Sequence, residues 1–375
     1  MARIVKASII SIFIISILVI LKMWLFDKND EWKGNISRET GTIIVHNPKS
    51  PRHGINAISL REDLCIGGQN TNGYILSDIT WVTTNHDGLI FVTDGKEKDV
   101  KVFDMNGNYL RNIGRAGQGP GEFSGFPTYI HCMNDKEILV VNGTRLSIFK
   151  FDGTHVKDIN IAPFNLIDVC PDSTGDFFAT LIARDEKGSR YELRKLDREL
   201  NTLIVLDTSP VQNTIRDGYN PFFPVLRWSP LSRGKSVSGY PIKYELKLFD
   251  AKGRLIRIIR KDANRIPISQ TDVTERTAGE PSSSLKRLRI PEYFPFFRYL
   301  VTDNEDRIYV STWERDMPEN LYAFDVFDSQ GRYLTRAYIP GLVPHIVNNR
   351  LYSIQKSEDG YPLLKRYKIN WHFTK

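Results

Sequence analysis

The chain has 375 residues, 41% of them hydrophobic and 11% aromatic, with a formal net charge of +7. No long helical period appears beyond the first residues, no nucleic-acid motif accompanies the basic excess, and three cysteines form no even framework. A helical bundle, a nucleic-acid binder and a disulfide-stapled domain are therefore excluded, and Cys65, Cys132 and Cys170 read as small buried hydrophobes within strands.

In chain order, Arg3 and Lys6 open the sequence and residues 7–21 form an unbroken apolar or Ser run. Lys22 interrupts it before residues 23–26 resume. Residues 4–26 approach the ~20 apolar residues that span a bilayer, and Lys22 can snorkel to the far interface. A cleaved signal peptide shares this signature. No small-x-small site and no acceptor cysteine follows the run, which favours an uncleaved anchor. The basic start predicts a single-pass cell-membrane protein with its N-terminus inside and its domain in the periplasm or outside the cell. Residues 1–26 are thus read as membrane anchor or signal segment, 27–56 as a polar tether with one strand at 42–46, and 57–375 as one domain.

That domain is repetitive. Phe103-Asp104-x-x-Gly107-x-x-Leu110 returns as Phe249-Asp250-x-x-Gly253 and as Phe327-Asp328-x-x-Gly331. A looser copy is Phe149-Lys150-Phe151-Asp152-Gly153, and worn copies begin at Leu196-Asp197 and Tyr367-Lys368. Six units at about 40–50 residues, each of four short strands, predict a six-bladed β-propeller. One longer interval holds an insertion, 261–292, with a capped helix expected at Ser269-Gln270-Thr271-Asp272 and a second turn near Ser284. The sixth unit stops after its third strand, so Ile58–Gly67 is expected to supply the fourth and close the ring.

After the first core comes Ile113-Gly114, then Gly117-x-Gly119-Pro120-Gly121-Glu122-Phe123 and Pro127. This resembles the blade connection of NHL-repeat propellers, and Tyr293-Phe294-Pro295-Phe296-Phe297-Arg298 is similar to segments of bacterial six-bladed propellers of the NHL and TolB-like type. The resemblance spans roughly residues 58–369. It implies an all-β six-bladed propeller, with Phe123 plugging a seam between blades; it implies no single activity, because this fold hosts lyases, esterases, receptors and scaffolds.

No Ser-His-Asp motif, P-loop, HExxH or CxxC is present. Aligning the first strands of the blades puts Trp81, His131, Asp168, Tyr299 and His345 at one level of the central channel. His131, Asp168 and His345 are then candidate ligands for a divalent metal, against the bland reading of polar groups in a wet channel. Otherwise no cofactor is expected. Phe296, Phe297, Arg298 and Tyr299, with His131 and His345, are the candidate ligand-binding residues, on the mouth that carries the insertion and the long connections. Tyr219-Asn220-Pro221-Phe222-Phe223-Pro224 and the segment at 293–297 either cover a seam or wall that site. The basic clusters 254–265 and 286–289 can meet an anionic partner or lipid headgroups. Together these features predict a monomeric, membrane-tethered propeller that binds a protein, peptide or glycan without catalysis. The alternative is a metal-dependent hydrolase or lyase acting through the channel.

Overall fold

The computed structural model describes residues 32–68, 74–172, 174–186, 188–212, 218–314 and 321–372. They form six antiparallel blades around a channel, each with four strands (a to d) taken in order outward. Blade 1 is β4 (Ile79–Thr84), β5 (Ile90–Asp94), β6 (Asp99–Phe103) and β7 (Tyr109–Ile113). Blade 2 is β8 (Pro127–Cys132), β9 (Glu137–Asn142), β10 (Arg145–Lys150) and β11 (His155–Asn160). Blade 3 is β12 (Leu166–Pro171), β13 (Phe177–Asp185), β14 (Gly188–Leu196) and β15 (Thr202–Pro210). Blade 4 is β16 (Arg227–Pro230), β17 (Ser236–Gly239), β18 (Glu245–Phe249) and β19 (Leu255–Lys261). Blade 5 is β20 (Tyr299–Thr302), β21 (Ile308–Ser311), β22 (Leu321–Phe327) and β23 (Tyr333–Pro340). Blade 6 is β24 (His345–Val347), β25 (Arg350–Lys356) and β26 (Pro362–Trp371), completed by β3 (Ile58–Gly67), which pairs antiparallel with β26 from Trp371↔Ile58 to Leu363↔Gly67. The expected six-bladed ring, closed by an N-terminal strand, is the fold.

The inner strands read as continuous apolar runs because both of their faces are covered. In β5, Ile90 and Val92 pack into the blade 6–blade 1 seam, whereas Phe91 between them faces blade 2. The core is accordingly six seam clusters, one between each pair of neighbouring blades. The repeated Phe-Asp-x-x-Gly has a local cause. Phe103, Phe249 and Phe327 are buried at the end of strand c, and the following Asp caps the tight c-to-d turn. Asp104 accepts from Asn106 and Asn108 N–H, Asp250 from Lys252 and Arg254, and Asp328 from Gln330 and Arg332. The turn demands a left-handed residue, which Gly253 (φ 77°) supplies; in the worn copy Leu200 takes it at φ 66°. In the first blade connection, Gly114 has φ 71°, and a Cβ there would lie 2.6 Å from the Phe123 ring, which is fully buried in the seam as expected.

Three expectations need correction. The segment assigned as a tether is a strap. Its hairpin, β1 (Asn35–Glu39) and β2 (Thr42–Asn47), extends blade 4 with β2 parallel to β19. The chain then follows the outer edge of blade 5, where Arg52, His53 and Asn56 donate to the carbonyls of Tyr333, Leu334 and Arg336, before β3 joins blade 6. An outer strand otherwise leaves backbone groups unpaired, and the strap satisfies them. Secondly, Cys65 is exposed, because it points outward from the outermost strand, while Cys132 and Cys170 are half-buried; all three are free thiols. Thirdly, Phe297, expected to bind ligand, is buried in the blade 4–blade 5 seam, while Phe222 and Phe294 are buried in a separate cluster with the insertion. Phe222 and Phe294 pack with Val273 of α1 (Gln270–Thr277), which Ser269 and Asp272 cap reciprocally. A second short helix, α2 (Ser282–Leu285), follows in the insertion. Residues 4–26, expected as an anchor, lie outside the described residues; among the described residues no helix is long and apolar enough to cross a membrane.

Asn47 locks the strap. Its Oδ1 accepts from Tyr333 N–H at 2.7 Å and Trp32 Nε1 at 2.9 Å. Its Nδ2 donates to the carbonyls of Gly331 at 2.9 Å and Arg260 at 3.2 Å. Asn47→Ala leaves buried backbone partners unpaired and is expected to cost about 2–4 kcal/mol in denaturant unfolding. Deleting residues 1–67 removes β3 as well and is expected to abolish cooperative unfolding. Wild-type melting of either variant would refute the strap.

Candidate functional site

The channel is lined by the first strands, and their register sets its levels. The seam positions Ile90, Ile138, Phe177, Ser236 and Ile308 face the strand-c anchors Phe103, Phe149, Leu196, Phe249 and Phe327. Three residues further along strand b, the partners on strand a are Trp81, Tyr129, Asp168, Arg227 and Tyr299. These form an upper tier, nearest the mouth made by d-to-a and b-to-c connections. Two residues deeper, about 6–7 Å along the strands, come Thr83, His131, Cys170, Ser229, Val301 and His345.

His131 and His345 are therefore not level with Trp81, Asp168 and Tyr299, and the alignment that joined them slips by two residues. The marker of register is the residue that opens the a-to-b turn, whose N–H bonds across the turn: Asn85, Asp172 and Asp303 in blades 1, 3 and 5. In blade 2 this place is taken by Met133, which removes the polar landmark. Arg227 was missed because its short strand lies beside a Pro-rich entry; counting back four residues from Leu231, the turn opener of blade 4, finds it.

The lower tier does not form the expected metal centre. His131 Nδ1 lies 3.5 Å from Cys170 Sγ, and its Nε2 has no partner. His345 Nε2 turns to Thr84 Oγ1 at 3.1 Å. Asp168 sits a tier above, and among the described residues no three His, Cys, Asp or Glu side chains are grouped to hold a metal ion. Burial, then the field of His345, holds His131 down at about 4, and burial alone holds His345 at about 4, so both rings are neutral near pH 7. Burial pushes the Cys132 thiol up to about 12 and Cys170 well above its ordinary value, so neither offers a thiolate. His86, in an exposed turn beside Asp87 and Asp135, stays apart from this group.

The upper tier is different in kind. The Arg227 guanidinium lies 4.3 Å from the Tyr299 ring centroid, and the rings of Trp81 and Tyr129 meet edge to face at 5.0 Å. Arg298, one residue before Tyr299, sits 4.5 Å from the Trp313 ring and 5.5 Å from that of Tyr322. The far side of Trp313 stacks on Phe294 at 4.3 Å. Among the described residues, neither guanidinium has an ion-pair partner or donates a side-chain hydrogen bond, and Trp313 Nε1 is buried without a partner. Burial lowers the Arg298 pKa against the aromatic hydroxyls nearby, and the like charges of Arg276 from α1 and of Arg227 add to that effect. Burial pushes Asp168 up to about 6, while the Val169 N–H and Arg227 pull it back. Of the expected binding residues, Arg298 and Tyr299 thus belong to the mouth. Phe296 packs beside Tyr244 and Arg265, Phe297 is seam core, and His131 and His345 lie deeper.

Depressions are present among the described residues of the opposite face. One of about 340 Å³ lies between Ser232–Lys235 and Asn304–Asp306, and one of about 630 Å³ lies among Asn134–Glu137 and Lys150–Asp152. In the first, Lys235 pairs with Asp306 and Arg257 donates to Gln330 and to the Ser329 carbonyl, while Arg233 is exposed.

These sheets, seams and levels define a six-bladed β-propeller with an aromatic and cationic mouth. A family described as a six-bladed β-propeller, DUF5128, matches residues 71–212. The chain is also similar in fold to the crystal structure of a candidate exported protein of Bacteroides fragilis, at 11% identity and a TM-score of 0.54, over 87% of this chain and 99% of that one. A DUF4221 family member from Bacteroides vulgatus is 11% identical over 84% and 99% of the two chains, with a TM-score of 0.49. Regucalcin, a calcium-binding protein of Agrobacterium tumefaciens, is 12% identical over 78% and 92%, with a TM-score of 0.42. The last two superpose only loosely. No curated protein matches the sequence.

The channel groups make stability depend on pH with opposing signs. The two histidines, held at about 4, contribute stability above their unfolded value near 6.5 that is lost as pH falls through about 4. Asp168, raised to about 6, contributes stability below its unfolded value near 3.9 that is lost as pH rises through about 6. Around pH 5 two groups oppose one, so wild-type stability should rise with pH. In His131→Gln/His345→Gln the rise should be shallower, read from urea midpoints at pH 4.5 and 6. An unchanged slope would show that these rings are not held neutral.

Proposed function

We propose that the chain is an extracytoplasmic propeller of NHL-like type that binds a ligand, without catalysis, in the mouth bordered by Arg227, Tyr299, Arg298 and Trp313. The observation that carries this reading is the pair of guanidiniums lying over aromatic rings with no ion-pair partner among the described residues. An arginine so stacked has its orientation fixed in advance while its N–H edge stays free, so little entropy is lost when a ligand docks. The NHL-like kinship rests on the Gly-rich connection after Ile113. Placement outside the cytoplasm is supported by the apolar run at residues 4–26 behind Arg3 and Lys6, and by the description of the B. fragilis relative as a candidate exported protein. An uncleaved anchor makes the mature N-terminus that of residues 1–3; a start beyond Phe26 on N-terminal sequencing would instead make the domain secreted.

The mouth is tested by probing mixed glycan and peptide arrays with wild type, Arg298→Glu and Arg233→Glu. Arg233 is exposed on the opposite face and serves as the charge-matched control. Arg298→Glu is expected to lose the retained ligand at least tenfold with an unchanged melting temperature. Loss in Arg233→Glu with retention in Arg298→Glu would move the site to the other face.

A further inference from the structure

We propose that the ligand is an acidic oligosaccharide whose carboxylates dock on Arg298 and Arg227 and whose sugar faces and hydroxyls meet the tyrosines and tryptophans of the mouth. This rests on the binding reading above and specifies its chemistry. Arg227 on β16 and Arg298 just before β20 share the mouth, each lying over an aromatic ring, and Arg276 in the last turn of α1, whose Nε donates to the Pro221 carbonyl, adds like charge within Coulombic range of Arg298. The upper-tier carboxylate, Asp168 in blade 3, lies in Coulombic range of Arg227 but forms no ion pair with it. One unpaired carboxylate does not neutralise these like charges, and their repulsion is relieved when an anion enters. The insertion contributes to this excess, because Arg276 rides on the helix whose Val273 is packed against Phe222 and Phe294.

Three features select the kind of anion. Guanidiniums present a planar fork that matches a carboxylate edge. Around them stand Tyr129, Tyr299 and Tyr322, whose hydroxyls make no hydrogen bond among the described residues, and the Trp313 ring, over which Arg298 lies. Unsatisfied donors beside flat apolar faces suit a sugar ring, which brings acceptor hydroxyls on its rim and C–H groups on its face. A peptide would need backbone partners, and strand addition needs an accessible, unpaired strand edge. The mouth presents side chains: the first strands run down the channel and, in blade 4, the outer edge is taken by β2.

The probe is trigalacturonate, titrated calorimetrically into the full chain, with neutral galactotriose and triglutamate as comparators. Trigalacturonate is expected to bind at least tenfold more tightly than either comparator, and to weaken as salt rises. Arg298→Lys keeps the charge but loses the fork, and should weaken binding about tenfold; Arg227→Gln should do likewise, with Arg233→Glu unchanged and all melting temperatures retained. Tighter binding of triglutamate or galactotriose, lost in the arginine variants, would overturn the acidic-sugar inference and leave the mouth as the site. Trigalacturonate binding that survives both arginine variants and fails in Arg233→Glu would overturn the inference and the mouth together. No binding of trigalacturonate at millimolar concentration overturns the inference.

Discussion

The ring depends on one pairing between the two ends of the sequence, β3 against β26. Blades 1 to 5 are each built from consecutive strands, but the seam between blades 6 and 1 needs a strand from far away in the chain. Bringing such ends together costs about 5 kcal/mol of chain entropy for a separation on the order of 300 residues. The returns are a long backbone ladder and the seam that Ile66, Leu364 and Ile79 share, which together exceed that cost. Once β3 is docked, the segment before it is already held near the outer edges of blades 5 and 4, so its further docking costs far less. The strap is the consequence: three outer edges are occupied by one N-terminal run, and Asn47 fixes where it crosses from blade 4 to blade 5.

The junction of blades 4 and 5 holds a fully buried carboxylate. Asp325, fully buried in β22, accepts from the hydroxyls of Tyr244 and Tyr333 at 2.6 Å each and from Arg336 Nε at 2.9 Å. Burial pushes its pKa up, but Lys261, 3.4 Å away, and Arg336 more than offset this, and the group is held below the usual range. Buried ion pairs seldom add net stability, since desolvation consumes the attraction. They do discriminate, because a partner lost leaves a charge unpaired. In a ring of similar blades, this seam accepts only a neighbour that brings Tyr244 and Lys261 to Asp325, and it does so where the insertion separates blade 4 from blade 5.

The architecture was legible because its repeat is a local chemical device. An Asp that caps a tight turn, followed by a left-handed residue, must recur wherever strand c meets strand d, and its recurrence counts the blades. The closing strand was legible from a deficit, one strand missing at the C-terminus. The strap was not, because all five residues of β1 are exposed and carry no alternating pattern. Channel levels were read with a slip for a related reason: the a-to-b turn is marked by Asx in blades 1, 3 and 5 but by Met133 and Leu231 in blades 2 and 4. Half of the mouth was therefore found and half missed. Arg298 and Tyr299 stood out beside an aromatic run, while Arg227 stood between prolines with nothing in its own segment to announce it.

The distribution of unmet polar groups separates the two faces of the ring. On the tight-turn face, charges are closed pairwise: Lys195 with Asp172, Arg254 with Asp250, Arg307 with Asp303, and Lys235 with Asp306. At the other mouth Asp168, the carboxylate within Coulombic range of Arg227, is raised toward neutrality and forms no ion pair, and the arginines rest on rings. An aromatic face holds a cation in place without consuming its hydrogen-bond donors, which a carboxylate cannot do. Ring stacking therefore does what pairing would not. It orients two guanidiniums rigidly while leaving their edges open, and it leaves the positive field of the mouth to be neutralised from outside the protein.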